Sequence, residues 1–282
     1  MTVTHEHEQS GIPMSRDRSS YKLLGSTHEA RGSEIQAAAR AELIPTAETR
    51  ALSSPAGRVF ARLARSIGIN QSLQNYLAFR PFGMIEMLKR AIPPGITHPH
   101  ILDPVAGYTP QMIWLAQQMP NAHVYEVDMP EVISDKAQRL RNGKGVVIPQ
   151  NLTWYGENLR ETPLSKVLDE KKMHVIIAMS AFLRPAEYVR LLRYLGENLT
   201  ADGTIVGTIP WQAGMDALAR VSLLYRVQVG PLPGVVDNVD VIYERYRDAG
   251  FSDITITSFP ELARELGYPE PADIERLVLA KR

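Results

Sequence analysis

Three observations predict an α/β protein with a seven-stranded, mostly parallel sheet, helices on both faces and a helical segment ahead of it. From residue 96 onward, short apolar runs alternate with amphipathic stretches, the grammar of repeated βα units. Before that point, apolar residues recur at helical spacing only. A loop glycine, Gly107, follows the first apolar run, and an acid-tipped second run comes roughly 20 residues later, the arrangement of a Rossmann-like nucleoside site.

Residues 1–30 are rich in Ser, His, Glu and Arg with little apolar periodicity. They read as a flexible arm, because too little apolar surface is present to offset the entropy of ordering the chain. Residues 31–95 read as a helical N-terminal segment. Its Ala-rich opening from Gly32 to Leu43 has high helix propensity, and Ser54-Pro55 supplies an N-cap with a first-turn proline. The pattern through Leu73, Tyr76 and Leu77 is interrupted at Pro81 and Gly83 before Met84, Ile85 and Leu88 resume it.

Residues 96–282 form the α/β unit. Strands are expected at 100–103, 123–127, 146–152, 173–179, 204–209, 254–257 and 274–280. Between them, Thr109-Pro110 caps a helix running to Gln118, Pro130 opens another, and Pro185 opens a third whose stripe is Tyr188, Leu191, Leu192 and Leu195. A further helix starts near Asn238 and stops at Gly250. An insertion at 210–236, with Trp211, Tyr225 and the Gly230-Pro231-Leu232-Pro233-Gly234 turn cluster, is placed to shape a pocket.

Composition narrows the function. A chain of 282 residues with 44% hydrophobic side chains can build one large α/β unit plus an accessory segment. Lys plus Arg and Asp plus Glu are equal at 31 each, so no excess field draws the protein to nucleic acid or a membrane surface. A small, roughly neutral partner is expected. The absence of cysteine removes disulfides and thiolate chemistry. The start has no charged-then-apolar signal pattern, and the longest apolar run is far short of the ~20 residues a spanning helix needs, so a cytoplasmic protein is expected. His5 with His7, and His98 with His100, have alternate spacing but no third partner nearby, and no metal is expected.

The chemistry concentrates in two segments. In the loop Asp103-Pro104-Val105-Ala106-Gly107-Tyr108, Gly107 can take a positive φ and lets a ligand approach the backbone, with Asp103 and Ala106 flanking it. The run Val124-Tyr125-Glu126-Val127-Asp128 ends in two acids on one face of a strand, Glu126 and Asp128, where a carboxylate can accept both hydroxyls of a ribose. Asp128 could equally cap the helix that Pro130 opens. A dinucleotide would call for the Gly-x-Gly-x-x-Gly turn, which is missing, whereas S-adenosyl-L-methionine carries no phosphates and needs room for one amino acid and one ribose. No Walker loop or Gly-x-Ser-x-Gly elbow is present.

These residues resemble the leucine carboxyl methyltransferase-like group of class I methyltransferases. The likeness rests on Val105-Ala106-Gly107-Tyr108-Thr109, on Glu126-Val127-Asp128-Met129-Pro130-Glu131-Val132, and on the stretch from Ser258 to Tyr268. Arg80 matches an arginine upstream of the family's first strand, and Asn158-Leu159-Arg160 matches an Asp-Leu-Arg after its third. The resemblance covers roughly residues 75 to 282. It implies that Gly107 lines the methionine portion of S-adenosylmethionine, Arg80 pairs with its carboxylate, Asp128 holds the ribose, and Asn158 with Leu159 faces the adenine.

The expected activity is therefore O-methylation of a small-molecule acceptor. Two other readings stand beside it: a methyltransferase-fold protein that binds the cofactor but catalyses another reaction or serves as a binding module, and a nicotinamide oxidoreductase. Trp211, Tyr225 and Tyr243 are candidates to line an acceptor pocket, though buried packing is the simpler explanation of each. The helical segment suits either a cover over the site or a homodimer surface. No general base stands out.

Overall fold

The computed structural model describes residues 28–66, 71–159, 161–179, 183–214 and 234–282. The arm expected over residues 1–30 lies outside these up to residue 27, and residues 28–30 already belong to a helix. Four helices come first: α1 (His28–Leu43), α2 (Ala47–Leu52), α3 (Pro55–Ser66) and α4 (Gln71–Ala91). Then follow β1 (His100–Asp103), α5 (Gln111–Gln118), β2 (His123–Asp128), α6 (Pro130–Asn142), β3 (Leu152–Gly156) and α7 (Leu164–Val167). The remainder is β4 (Met173–Met179), α8 (Pro185–Glu197), β5 (Leu199–Pro210), α9 (Val239–Asp248), β6 (Asp253–Ser258), α10 (Phe259–Glu265) and β7 (Glu275–Lys281).

The seven strands form one sheet in the order β3-β2-β1-β4-β5-β7-β6. All neighbours are parallel except β7, which runs antiparallel between β5 and β6. The chain builds outward from β1 through β2 to β3, then returns to lay β4 on the other side of β1. That reversal opens a crevice above the carboxyl ends of β1 and β4, where ligands bind in open α/β sheets.

Two apolar cores cover the faces of the sheet. One packs α4, α5 and α10 against Ile101, Val124, Val175 and Val206; the other packs α8 and α9 against Leu102, Ile176, Ile205 and Val278. The alternation of neighbouring strand residues between the two cores is the two-residue period of the pleat. Helix α4 is continuous through Pro81, which the sequence reads as an interruption. A proline inside a helix costs ~3 kcal/mol. Here the same helix buries Leu73, Tyr76, Phe79, Met84, Ile85, Met87 and Leu88, which outweighs it. Gly83 lets α4 approach α10, since a Cβ there would stand 3.0 Å from the Phe259 ring.

Two expectations need correction. The third strand is Leu152–Gly156, not 146–152. Pro149 cannot donate to a ladder, Val147 is exposed, and Asn151 uses its amide to bind the carbonyls of Ala116, Met119 and Ala122, so the chain pairs only beyond that point. Thr109 does not cap α5, because its hydroxyl donates to the Ala106 carbonyl within the preceding loop. By contrast, Ser54 accepts from the Gly57 amide at the start of α3, and Ser258 with Glu261 forms a reciprocal capping box on α10. Among the described residues no helix is long and apolar enough to cross a membrane.

Lys136 of α6 is fully buried and donates to Glu126 of β2 at 2.7 Å, while Trp154 of β3 donates to the other Glu126 oxygen at 2.7 Å. Lys136→Met leaves a buried carboxylate without its counter-charge and is expected to cost about 3–5 kcal/mol of stability. Adding Glu126→Gln, which keeps an acceptor for Trp154, should recover most of that loss. Urea unfolding of the single and double variants checks this, and losses that simply add would contradict it.

Three histidines spaced far apart in sequence meet at the amino ends of the parallel strands. His100 of β1 lies 4.8 Å from His123 of β2 and 5.7 Å from His174 of β4, ring to ring. His174 accepts from the His100 backbone amide at 3.0 Å. Burial holds His100 and His174 below the ordinary imidazole range, and His123 and His174 add to the effect on His100. The unfolded chain therefore takes up more protons, so stability should fall as pH drops from about 7 to about 5. Thermal melts of the wild type and His100→Gln check this: from pH 7 to pH 5 the wild type should lose stability relative to the variant, and a difference between them that does not change with pH would contradict the assignment.

Candidate functional site

The loop after β1 is shaped by two carboxylates. Asp103, the last residue of β1, is buried and accepts from the Val105 amide at 3.2 Å and from the Gln111 side chain at 3.1 Å. Ala106, also buried, donates its amide to the Val127 carbonyl at 3.2 Å, tying the loop to β2. Gly107 adopts φ +47°, and its amide donates to the Asp128 carboxylate at 2.8 Å. The second Asp128 oxygen accepts from the Met129 amide at 2.7 Å. A short side chain at the end of one strand thus fixes the glycine turn of its neighbour.

Asp128 remains partly exposed, and each of its oxygens has a further lone pair to offer. Glu126, expected beside it at the ligand, is placed differently: it is 0% exposed, and Lys136 and Trp154 occupy its oxygens. Both acids do share a strand face, but α6 closes over the inner one. Burial pushes Asp103, Glu126 and Asp128 above the ordinary carboxylate range; Lys136 opposes this at Asp103 and Glu126, and the Gly107 and Met129 amides oppose it at Asp128.

The exit of β3 lies beside Asp128, since the Glu157 amide donates to the Asp128 carbonyl at 2.9 Å. Gly156 permits the approach, as a Cβ would fall 2.9 Å from Pro130 Cα. Asn158 and Leu159 follow, both half-buried, with the Asn158 amide donating to Glu161 at 2.7 Å and Leu159 packed on the second core. Arg160 lies outside the described residues.

Arg80 stands on the other side of the switch point. Its Nε donates to Glu275 of β7 at 2.9 Å, its Nη2 reaches the Met179 sulfur at 3.6 Å at the end of β4, and Tyr76 donates to the same Glu275 oxygen at 2.7 Å. Burial works against the guanidinium charge, but the Glu275 carboxylate outweighs it and keeps Arg80 firmly cationic. Sequence reasoning missed Glu275 because an acid opening a strand 195 residues away carries no local sign of its partner.

The aromatic candidates divide. Trp211, directly after β5, donates its amide to the Ile274 carbonyl at 2.7 Å and carries the Arg276 guanidinium 4.0 Å from its ring centre. It stands at the same end of the sheet as Arg80. Tyr243 lies on α9 with the exposed Arg247 5.5 Å from its ring centre. Tyr225 lies outside the described residues, as do 215–233 of the 210–236 insertion. Among the described residues no group of three or more His, Cys, Asp or Glu side chains is arranged to hold a metal ion.

No family model matches the chain, and no curated protein does. Solved structures do. A candidate methyltransferase from Thermobifida fusca is 15% identical over 89% of this chain and 94% of its own, with a TM-score of 0.60. A protein from Bordetella parapertussis, described as a possible exported protein, is 12% identical over 95% and 99%, with a TM-score of 0.54. A candidate O-methyltransferase from Nostoc punctiforme is 16% identical over 81% of this chain, with a TM-score of 0.52, and this chain spans 62% of its length. At these identities the likeness establishes the fold, a seven-stranded Rossmann-like sheet of the kind methyltransferases use.

Proposed function

We propose that the protein is an S-adenosylmethionine-dependent methyltransferase that modifies an oxygen of a small-molecule acceptor. One observation carries this reading: a partly exposed Asp128 carboxylate at the tip of β2 holds the positive-φ Gly107 of the β1 loop, at the topological switch point. The carboxylate is placed for a ribose diol, and the glycine leaves the backbone open to the amino-acid portion. Asn158 and Leu159, brought beside Asp128 by the exit of β3, are placed for the adenine.

Charge supports this cofactor over a dinucleotide. Of the three acids at the loop, Asp103 and Glu126 are buried and Glu126 is paired with Lys136, so Asp128 is the one that presents a carboxylate to a ligand. A carboxylate there suits a cationic ligand and repels a pyrophosphate. Within the class, the run from Glu126 to Val132 supports the leucine carboxyl methyltransferase-like subgroup. There Glu126 acts from beneath, locking β2 to α6 and β3, and Asp103 shapes the loop through Val105 and Gln111.

When bound, S-adenosylmethionine supplies an electrophilic methyl group. The chain's own task is to align an acceptor oxygen with that group and to exclude water from it. Arg80, buried at the β4 end and cationic, is placed to orient a carboxylate, with Glu275 and Tyr76 fixing its direction. Trp211 beneath Arg276 offers a flat wall for the acceptor.

Asp128→Ala removes both the ribose acceptor and the Gly107 anchor while leaving the buried Glu126–Lys136 pair intact. Calorimetric titration with S-adenosylhomocysteine should show at least roughly tenfold weaker binding, the loss of one charge-assisted hydrogen bond or more. Circular dichroism should show the wild-type fold. Unchanged affinity would overturn the ribose assignment.

A further inference from the structure

The helical segment carries a second buried arginine that has no counter-charge among the described residues. Arg40 of α1 is 2% exposed; its Nη2 donates to the neutral Gln36 side chain at 3.0 Å, and its Nη1 has no hydrogen-bond partner. A guanidinium keeps its proton at any ordinary pH, so a buried one needs an anion rather than deprotonation. Helix α1 packs on α4, and Arg40 lies close enough to Arg80 and Tyr76 for their charges to act on it. Burial, then the Arg80 charge, pushes Arg40 down to about 9.

Among the described residues, two guanidiniums meet here with one carboxylate, Glu275, which already serves Arg80 and Tyr76. Among the described residues the surplus is one positive charge, buried, with Arg40 Nη1 left without a hydrogen-bond partner. It lies on the β4 and β7 side of the switch point, where Arg80 reaches Met179, and not on the Gly107 and Asp128 side assigned to the ribose. We propose that Arg40 and Arg80 together form an anion subsite that holds the carboxylate of the acceptor, which reassigns Arg80 from the cofactor carboxylate that the resemblance implies. A monoanion balances the surplus charge, and the planar fork of arginine matches a carboxylate. The helical segment then contributes directly to substrate choice, selecting acidic acceptors over their neutral counterparts.

That the bound acid is a methyl acceptor rests on the methyltransferase reading; the subsite itself does not. The probes are benzoate and benzamide, titrated calorimetrically into the protein with and without S-adenosylhomocysteine. Benzoate should bind saturably and benzamide roughly tenfold more weakly or not at all. Arg40→Gln should abolish the preference while leaving S-adenosylhomocysteine affinity unchanged, and its melting temperature should be no lower than wild type because an unpaired buried charge has been removed. Benzoate bound no better than benzamide, or bound equally by Arg40→Gln, overturns the subsite. A loss of S-adenosylhomocysteine binding in Arg40→Gln assigns the pair to the cofactor and overturns the acceptor role. Failure of the wild type to bind S-adenosylhomocysteine, with the benzoate preference intact, overturns the methyltransferase reading and leaves the subsite standing.

Discussion

The carboxylate of Asp128 sits between two backbone amides, Gly107 from the β1 loop and Met129 at the start of α6, and the carboxyl end of the sheet takes its shape from that position. It fixes the glycine in a left-handed turn, accepts from the amide that precedes α6, and stands beside the exit of β3. Below it, the Glu126–Lys136 pair and Trp154 hold β2, α6 and β3 together. The two acids on one strand face thereby differ in their surroundings. The inner acid is sealed and structural, and the outer acid remains available.

Buried charge is distributed unevenly about the crevice. Among the described residues, Asp103, Glu126 and Asp128 face Lys136 on the β2 side, whereas Arg40 and Arg80 face Glu275 on the β4 and β7 side. A cationic sulfonium and an anionic acceptor would each meet a complementary surface, and the two would approach one another across the switch point. Such pre-set fields act without rearrangement at the moment of reaction. The helical segment is part of this arrangement, because α4 shares the first core with the sheet and α1 brings Arg40 to Arg80.

Much of the fold was legible in the sequence because strand alternation, Pro at helix starts and the Ser258–Glu261 capping box are local signals. The third strand was misplaced because Val146, Val147 and Ile148 imitate a strand, and only the tertiary role of Asn151 shows why pairing begins later. Pro81 read as a break because the burial that overrides it comes from the sheet and α10, not from α4 itself. At the site, Gly107 and Asp128 could be picked out by spacing. The separation of Glu126 from Asp128 could not, since it depends on which way α6 closes. Glu275 and the meeting of His100, His123 and His174 were likewise invisible, because register between distant strands produces them.

The most direct test of the central claim is amide hydrogen exchange of the protein with and without S-adenosylhomocysteine. Protection should rise most in the peptides spanning residues 103–110 and 126–131, with a smaller rise around 157–159, and reduced nicotinamide dinucleotide should leave all three unchanged. Protection produced by the dinucleotide instead, or protection by S-adenosylhomocysteine confined to other segments, would show that the Asp128–Gly107 joint is not where the cofactor binds.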